Sequence, residues 1–263
     1  MTAGRRSISE EQWRDLLVNG DRAGRILQWL FRRLPSSPRC KQCFAPFGGI
    51  GGKFVGAAGF RPSRKNPRLC AHCLEELPLG GAEVDIAVLF ADVRGSTTKG
   101  EQLSPSEFAA LMNRFYRSAT DVLVMRGALV DKMIGDEVMA LFIPGFTGHN
   151  YRARAVEAAV ELLRAVGFAP GKEAWLPVGI GIHSGVAFVG NVGDGEVTDF
   201  TALGDTVNTA ARLQGQAGPG EIAMSETIYQ EVAANYPNLE RQVVALRGRA
   251  EPLVVRMLKP TAL

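Results

Sequence analysis

Apolar residues along this chain follow two rhythms. Between residues 9 and 34 they recur at helical spacing, first Trp13, Leu16 and Leu17, then Ile26, Leu27, Leu30 and Phe31. Ser9 and Gln12 have the spacing of a capping box. Asn19-Gly20 predicts a break into two helices, and Pro35 predicts the end of the second. Residues 40–73 read as a loop-rich stretch bracketed by cysteine pairs. From residue 85 strands and helices alternate. Residues 85–90 are continuously apolar after Asp85, as expected of a buried central strand. Ser104-Pro105-Ser106-Glu107 combines an N-cap, a first-turn proline and a capping-box glutamate. Phe108, Leu111, Met112, Phe115, Ala119 and Val122 then mark one helical face. Residues 128–134 and 138–142 predict two strands joined at Gly135-Asp136. A second amphipathic helix is expected over about 150–167. Residues 178–182 and 186–189 flank His183-Ser184-Gly185 and predict a second hairpin, with His183 at a strand end. A short helix near 205–214 and a final strand–helix–strand complete the pattern. The expected class is α+β, with helices packed on a mostly antiparallel sheet.

Composition narrows the class. With 46% hydrophobic and 22% charged residues in 263, the chain is an ordinary globular one. No apolar run approaches the roughly 20 residues of a membrane-spanning helix. The opening MTAGRRSISEEQW has no apolar stretch after its arginines, so a secretory signal is not expected and a cytoplasmic location is. Charge is uneven. Residues 1–80 hold 14 Lys+Arg against 6 Asp+Glu, a net +8, so the remainder carries −5 of the total +3. All four cysteines lie in the basic part, which places a boundary near Gly80-Gly81. Arg22, Arg25, Arg32 and Arg33 make the second helix basic and amphipathic. Such a helix is ordinarily a solvated face over a packing stripe. The other reading is contact with a protein, nucleic acid or membrane surface.

Three clusters carry candidate chemistry in the acidic part. Asp92 follows the buried strand run and Asp136 sits at the hairpin tip, each an acid beside apolar strand. Unpaired carboxylates there are costly to desolvate, and a divalent cation such as magnesium relieves that cost. Val93-Arg94-Gly95-Ser96-Thr97-Thr98 offers a glycine, hydroxyls and amides suited to phosphate, without the ending of a Walker loop. Asn208 and Arg212, four apart in 205–214, share a helix face and present an amide and a guanidinium fork. In the basic part, Cys40-Lys-Gln-Cys43 and Cys70-Ala-His-Cys73 form two CxxC knuckles. Four thiolates suit a structural zinc, and an iron–sulfur cluster accepts the same set. His72 reads as a bystander.

Phe90-Ala91-Asp92-Val93-Arg94-Gly95-Ser96-Thr97, Lys132-Met133-Ile134-Gly135-Asp136, and Thr201-Ala202-Leu203-Gly204-Asp205-Thr206-Val207-Asn208 with Arg212 together resemble the catalytic signature of class III adenylate and guanylate cyclases. The resemblance runs through about residues 84–258. It implies a ferredoxin-like catalytic domain over 81–263, preceded by a helical, four-cysteine metal-binding segment over 1–80. It also implies that Asp92, Asp136 and the Val93 carbonyl hold two magnesium or manganese ions per active site. Lys132 and Thr201 fall where the family reads the purine, and Asn208 and Arg212 where it orients the ribose and stabilises the transition state. Thr97 falls where the triphosphate is contacted. Arg247 stands where the family often has a triphosphate-binding lysine, a departure that keeps the charge and changes its geometry. The family's half-sites face each other across a dimer interface, so a homodimer is implied.

Purine choice follows hydrogen-bond polarity. Lys132 can donate to adenine N1, and the Thr201 hydroxyl can accept from the N6 amino group. Guanylate cyclases of this family usually place an acid at the lysine position. ATP is therefore the expected substrate and cyclic AMP the expected product. A guanylate cyclase, a diguanylate cyclase and a catalytically inactive regulatory module are the competing readings.

Overall fold

A computed structural model describes residues 8–20, 25–34, 37–74, 77–194, 197–245 and 251–260. The basic part contributes α1 (Glu10–Asn19), α2 (Arg25–Arg33), α3 (Gly49–Ala57) and α4 (Ala71–Leu74). Then follow β1 (Gly80–Val93), α5 (Ser96–Gln102), α6 (Pro105–Met125), β2 (Leu129–Ile134), β3 (Glu137–Phe142), α7 (Pro144–Thr147) and α8 (Tyr151–Ala165). The chain continues through β4 (Val178–Asp194), β5 (Val197–Leu203), α9 (Asp205–Gln214), β6 (Ile222–Ser225), α10 (Glu226–Val232), β7 (Glu240–Val244) and β8 (Leu253–Leu258). Both expected capping boxes are formed, at Ser9/Gln12 and at Ser104/Glu107. The first helix ends at Asn19 as expected. Pro35 and Arg22 lie outside the described residues, as do the side chains of Arg25, Ile26 and Leu27. Among the described residues no helix is long and apolar enough to cross a membrane.

The eight strands form one sheet in the order β2-β3-β1-β4-β6-β8-β7, with β5 paired back onto β4. Among the described residues only the β4–β6 pair is parallel. The continuous apolar run of β1 is explained by two covered faces. Ala87, Leu89 and Ala91 point into a core with Met112 and Phe115 of α6 and Leu162 and Leu163 of α8. Ile86, Val88 and Phe90 point into a second core with Trp13 and Leu17 of α1, Phe31 of α2 and all four cysteines. Alternation along the strand thus sends one apolar set to each side. Trp13 stacks on Phe200 of β5 at 6.4 Å, and the Asn191 side chain donates to the Leu77 and Pro78 carbonyls at 2.7 Å, so the basic part is packed onto the sheet.

The second expected hairpin is not a hairpin. Residues 178–194 form one strand, paired with β1 without interruption from Val178 opposite Val93 to Asn191 opposite Gly80. Ser184 is satisfied within it, its hydroxyl bonding to Asp85 Oδ1 at 3.0 Å and the Ile86 carbonyl at 2.9 Å. Asp85 also accepts from Tyr151 and Arg152 of α8, at 3.0 and 2.6 Å. Burial, ahead of the Asp85 charge, pushes the Tyr151 phenol up to about 12. His183 therefore sits within a strand, opposite Val88, rather than at a strand end. β5, β7 and the helices α3 and α4 were likewise not anticipated. The glycine-rich sequence of α3 masks a helix, because Gly52 lies where a Cβ would come within 2.6 Å of the Phe47 backbone. On α2, Leu30 is half exposed instead of lying on the packing stripe.

Glycine in β4 serves close approach and not turning. A Cβ on Gly181 would lie 2.1 Å from the Gln214 nitrogen and 2.6 Å from the Ala210 carbonyl oxygen, so α9 rests directly on the strand backbone. Gly181→Ala is expected to force α9 off the sheet and to destabilise the protein by about 1–3 kcal/mol or more, the usual cost of overpacking. A urea midpoint that does not move would contradict this packing.

Candidate active site

The strand ends bring the two acids together. Asp92 is the penultimate residue of β1, with Glu137 of β3 and Gly179 of β4 as its Cα partners. Asp136 occupies the β2–β3 turn beside Gly135, whose φ of 63° is the left-handed conformation a tight turn demands. The Val93 amide donates to the Asp136 carbonyl at 3.2 Å and ties the hairpin tip to the strand end. Burial, then the Asp136 charge and a hydrogen bond shared with it, raise the Asp92 carboxyl to about 6. Burial and Asp136 raise Glu137 as well. Tyr116 of α6 donates to the Gly135 carbonyl at 2.5 Å and braces the turn.

Arg94 is a neighbour that sequence reasoning missed. Its Nη1 donates to Asp92 Oδ2 at 3.0 Å, and its Nη2 donates to the Gln214 carbonyl at the end of α9. Gly179 makes room for it, since a Cβ there would lie 2.6 Å from the Arg94 Nε. The guanidinium links the acid pair to the helix that carries Asn208 and Arg212. Asn208 is exposed and Arg212 half-buried on α9. The Arg212 Nη1 is buried with no hydrogen-bond partner among the described residues, a donor that can meet an acceptor from outside. Thr97 is exposed in the first turn of α5, after Gly95 in a left-handed conformation with φ of 69°. Arg247 lies outside the described residues.

A second cluster gathers on β2 and β5. Lys132 Nζ donates to Thr201 Oγ1 at 2.8 Å, and the Thr201 hydroxyl donates to Asp131 Oδ2 at 2.6 Å. Asp131 occupies a bulge in β2, where the register with β3 shifts between Val130 and Lys132. Its side chain is 1% exposed. Lys65, from the loop between the cysteine pairs, donates to Asp131 Oδ1 at 2.6 Å and to the Phe200 carbonyl at 2.5 Å, and pairs with Asp199 at 2.8 Å. None of Lys65, Asp131 and Asp199 was singled out from sequence. The one available signal was Asp131, an acid adjoining Lys132. Among the described residues no hydrogen bond or ion pair joins this cluster to Asp92 or Asp136.

The four cysteines converge. All are buried, and their sulfurs lie within 4.8 Å of one another. Cys43 and Cys70 Sγ are 3.6 Å apart, and the Cys70 amide donates to Cys40 Sγ at 3.2 Å. A zinc tetrahedron with bonds of about 2.3 Å has sulfur–sulfur edges of about 3.8 Å, so the residues fit one such ion. Hydrogen bonds from Cys43, then Cys70 and Cys73, hold Cys40 below the ordinary thiol range. Hydrogen bonding to Cys40, then Cys43, pushes Cys70 and Cys73 above it. Cys43 is lowered too, against the opposing bond to Cys40, so two of the four thiols are favoured as thiolates and two are resisted, a conflict that a cation at the centre resolves. His72 is not part of the cluster and packs on Phe60 with ring centroids 4.8 Å apart.

A family model described as the adenylate and guanylate cyclase catalytic domain matches residues 82–258. An adenylate cyclase of Anabaena cylindrica is 31% identical over 166 residues, 59% of this chain and 32% of that protein. An uncharacterised protein of Mycobacterium tuberculosis is 33% identical over 196 residues, 72% of this chain and 35% of its own length. The chain thus spans about a third of the length of these curated relatives. Among solved structures, the guanylyl cyclase Cya2 matches with a TM-score of 0.60 and 28% identity, covering 68% of this chain and 93% of that one. The adenylyl cyclase CyaB from P. aeruginosa matches with a TM-score of 0.58 and 25% identity, covering 67% of this chain and 95% of that one.

Proposed function

Because the chain belongs to the adenylate and guanylate cyclase catalytic domain family, we propose that it converts ATP to 3′,5′-cyclic AMP and pyrophosphate, at sites assembled from two copies of the chain. The observation that carries the choice of ATP is the Lys132–Thr201–Asp131 chain of hydrogen bonds. With its hydrogen committed to Asp131 and one lone pair accepting from Lys132, the Thr201 oxygen keeps its second lone pair for the N6 amino group of adenine. The Lys132 ammonium, a donor only, suits adenine N1 and opposes the N1–H of guanine. A site built on such bonds strongly penalises the wrong base. The neighbouring structures include cyclases for both purines, so guanylate cyclase activity is the second reading.

In the proposed reaction the ribose 3′-oxygen attacks the α-phosphorus, and the bond to the β-phosphate oxygen breaks. Two divalent cations at Asp92, Asp136 and the Val93 carbonyl would lower the pKa of the 3′-hydroxyl and neutralise the departing pyrophosphate. The fit rests on Asp92 and Asp136, whose mutual repulsion in a half-buried site favours a cation between them. Asn208 orients the ribose, and the unpartnered Arg212 Nη1 meets charge developing on the transferring phosphoryl group. Thr97 contacts the triphosphate, with Arg247 as a further cationic contact.

Division of the site between two chains is supported by the separation of the acid pair from the Lys132 cluster. It is supported also by exposed apolar side chains on the elements that carry the site. Met133 and Ile134 follow Lys132, Leu203 follows Thr201 and Val186 lies on β4, at 49%, 64%, 49% and 60% exposure. A two-fold dimer would cover them. Residues 81–263 act in this reading as the catalytic domain and residues 1–80 as a metal-binding element docked on it. Sulfurs within 4.8 Å favour a single zinc-like ion over a cluster, whose own width spreads its thiolates apart.

Purified protein with magnesium or manganese is expected to form cyclic AMP from ATP. Asp136→Ala and Asn208→Ala chains, each inactive alone, are expected to recover activity on mixing, up to about a quarter of wild type if the chains pair at random and re-form one good site. Absence of any recovery would argue for sites held within one chain.

A further inference from the structure

The loop between the two cysteine pairs reaches the proposed purine site. It is held at both ends. Pro62 bridges to Cys70, Lys41 N donates to the Arg68 carbonyl at 2.8 Å, and Ala71 N donates to the Arg61 carbonyl at 2.7 Å. On its other side it covers β2, the edge strand of the sheet. The Val130 amide donates to the Lys65 carbonyl at 2.9 Å, and the Asn66 side chain donates to the Ala128 carbonyl at 2.6 Å. Between these anchors Lys65, with its side chain 19% exposed, enters a quartet of two ammonium groups and two carboxylates.

The charges of that quartet balance. Lys65 lies 2.6 Å from Asp131 and 2.8 Å from Asp199, while Lys132 lies farther from both, at 3.2 and 3.4 Å. Burial works against ionisation of Asp199, yet Lys65, ahead of Lys132, holds its carboxyl below the ordinary aspartate value. Asp131 is buried and its charge demands a close partner. Without Lys65, Lys132 would be the sole cation among the described residues paired with both carboxylates. It would be drawn onto them and away from the position where adenine N1 accepts. The potential facing the base would also become more negative, which favours the N1–H of guanine.

We propose that Lys65, delivered by the loop between the cysteine pairs, is a positioning residue that sets purine selectivity, by satisfying Asp131 and Asp199 so that Lys132 and Thr201 are kept in position to read adenine. This rests on the adenine reading given above. It makes the four-cysteine element a structural part of the nucleotide site.

The test is steady-state kinetics on Lys65→Met, which keeps the aliphatic stem, beside Lys132→Met, in the full chain. For Lys65→Met the expected result is a KM for ATP raised about tenfold, kcat within about threefold, and the ratio of ATP to GTP use lowered about tenfold. A purely structural role would lower turnover of both nucleotides alike and leave that ratio unchanged, which overturns the proposal. Lys132→Met separates the two levels. If it behaves as wild type, the adenine reading falls and the proposal with it. If it is impaired while Lys65→Met is not, the proposal alone falls. Should Lys65→Met fold poorly, Lys65→Met with Asp199→Asn restores the charge balance and is expected to bring KM for ATP back to within about threefold of wild type. A KM that stays tenfold high in that double variant overturns the proposal.

Discussion

Asp92→Asn is expected to lower cyclic AMP formation by at least about 10³-fold while leaving the fold intact. The variant keeps the size and one hydrogen-bonding oxygen of the side chain, so Arg94 retains an acceptor, but it removes one of the two charges that would hold the cations. Loss of a single preorganised electrostatic contact typically costs about 10²–10³ in rate, and loss of a metal that activates the nucleophile costs more. A second readout tests the same carboxyl without catalysis. In the metal-free protein burial, ahead of the Asp136 charge, raises the Asp92 carboxyl to about 6, well above the ordinary aspartate range. A folded-state value above the unfolded one means that ionised Asp92 disfavours the fold, a penalty complete above pH 6 and lost as the pH falls below about 4. A bound cation removes that penalty, and below pH 6 protons compete with it. Magnesium is therefore expected to raise the melting temperature at pH 7.5, to do so less as the pH drops through 6, and to have little effect at pH 5. The Asp92→Asn variant should lose this magnesium response at every pH. Retention of both turnover and response by the variant would remove Asp92 from the metal site.

How much of this was legible in the sequence depended on the range of the interaction. Both capping boxes, the β2–β3 turn and the helices α6, α8 and α9 follow from residues within four positions of one another, and each was read correctly. The hairpin predicted around Ser184 failed because Ser-Gly has two meanings. It marks a turn when the chain reverses, and here it marks a strand whose serine is satisfied by Asp85, 99 positions away, and whose glycine admits Thr206 within 2.9 Å of where a Cβ would lie. The glycines of α3 misled in the same way. At the candidate site, residues projecting from strand ends and one helix face were identifiable because their chemistry stands out locally. Lys65 and Asp199 were not, since their partners lie on elements far apart in sequence, and the role of Arg94 was not, since its tie to α9 runs to the Gln214 carbonyl 120 positions on. Lys65 meets Asp131 66 positions on and the Phe200 carbonyl 135 positions on. Nothing near Lys65 distinguishes it from the arginines around it.

The cysteine element is expected to be indispensable, and the effect of removing its metal should reach the nucleotide. In the Cys43→Ser, Cys70→Ser double variant, bound metal is expected to fall from one ion per chain to near none and the melting temperature to fall by more than about 10 °C. A structural zinc supplies on the order of 10 kcal/mol to a small domain, and even part of that, at about 2–4 °C per kcal/mol for a chain of this size, gives such a drop. The cysteines share one core with Trp13, Leu17, Phe90 and Phe200, so their loss loosens one whole face of the sheet. The residues nearest the break are those of the loop that carries Lys65, joined to Cys70 through Pro62 and to β2 through Val130. At temperatures where the variant is still folded, its ATP-to-GTP ratio should therefore fall as it does in Lys65→Met, because the same ammonium has left the same carboxylates. Metal analysis with a visible spectrum identifies the occupant: one colourless zinc per chain agrees with the sulfur spacing, and a brown iron protein would replace it by a cluster. A double variant with unchanged melting temperature and nucleotide preference would show that the thiols bear no part of the load at the purine site.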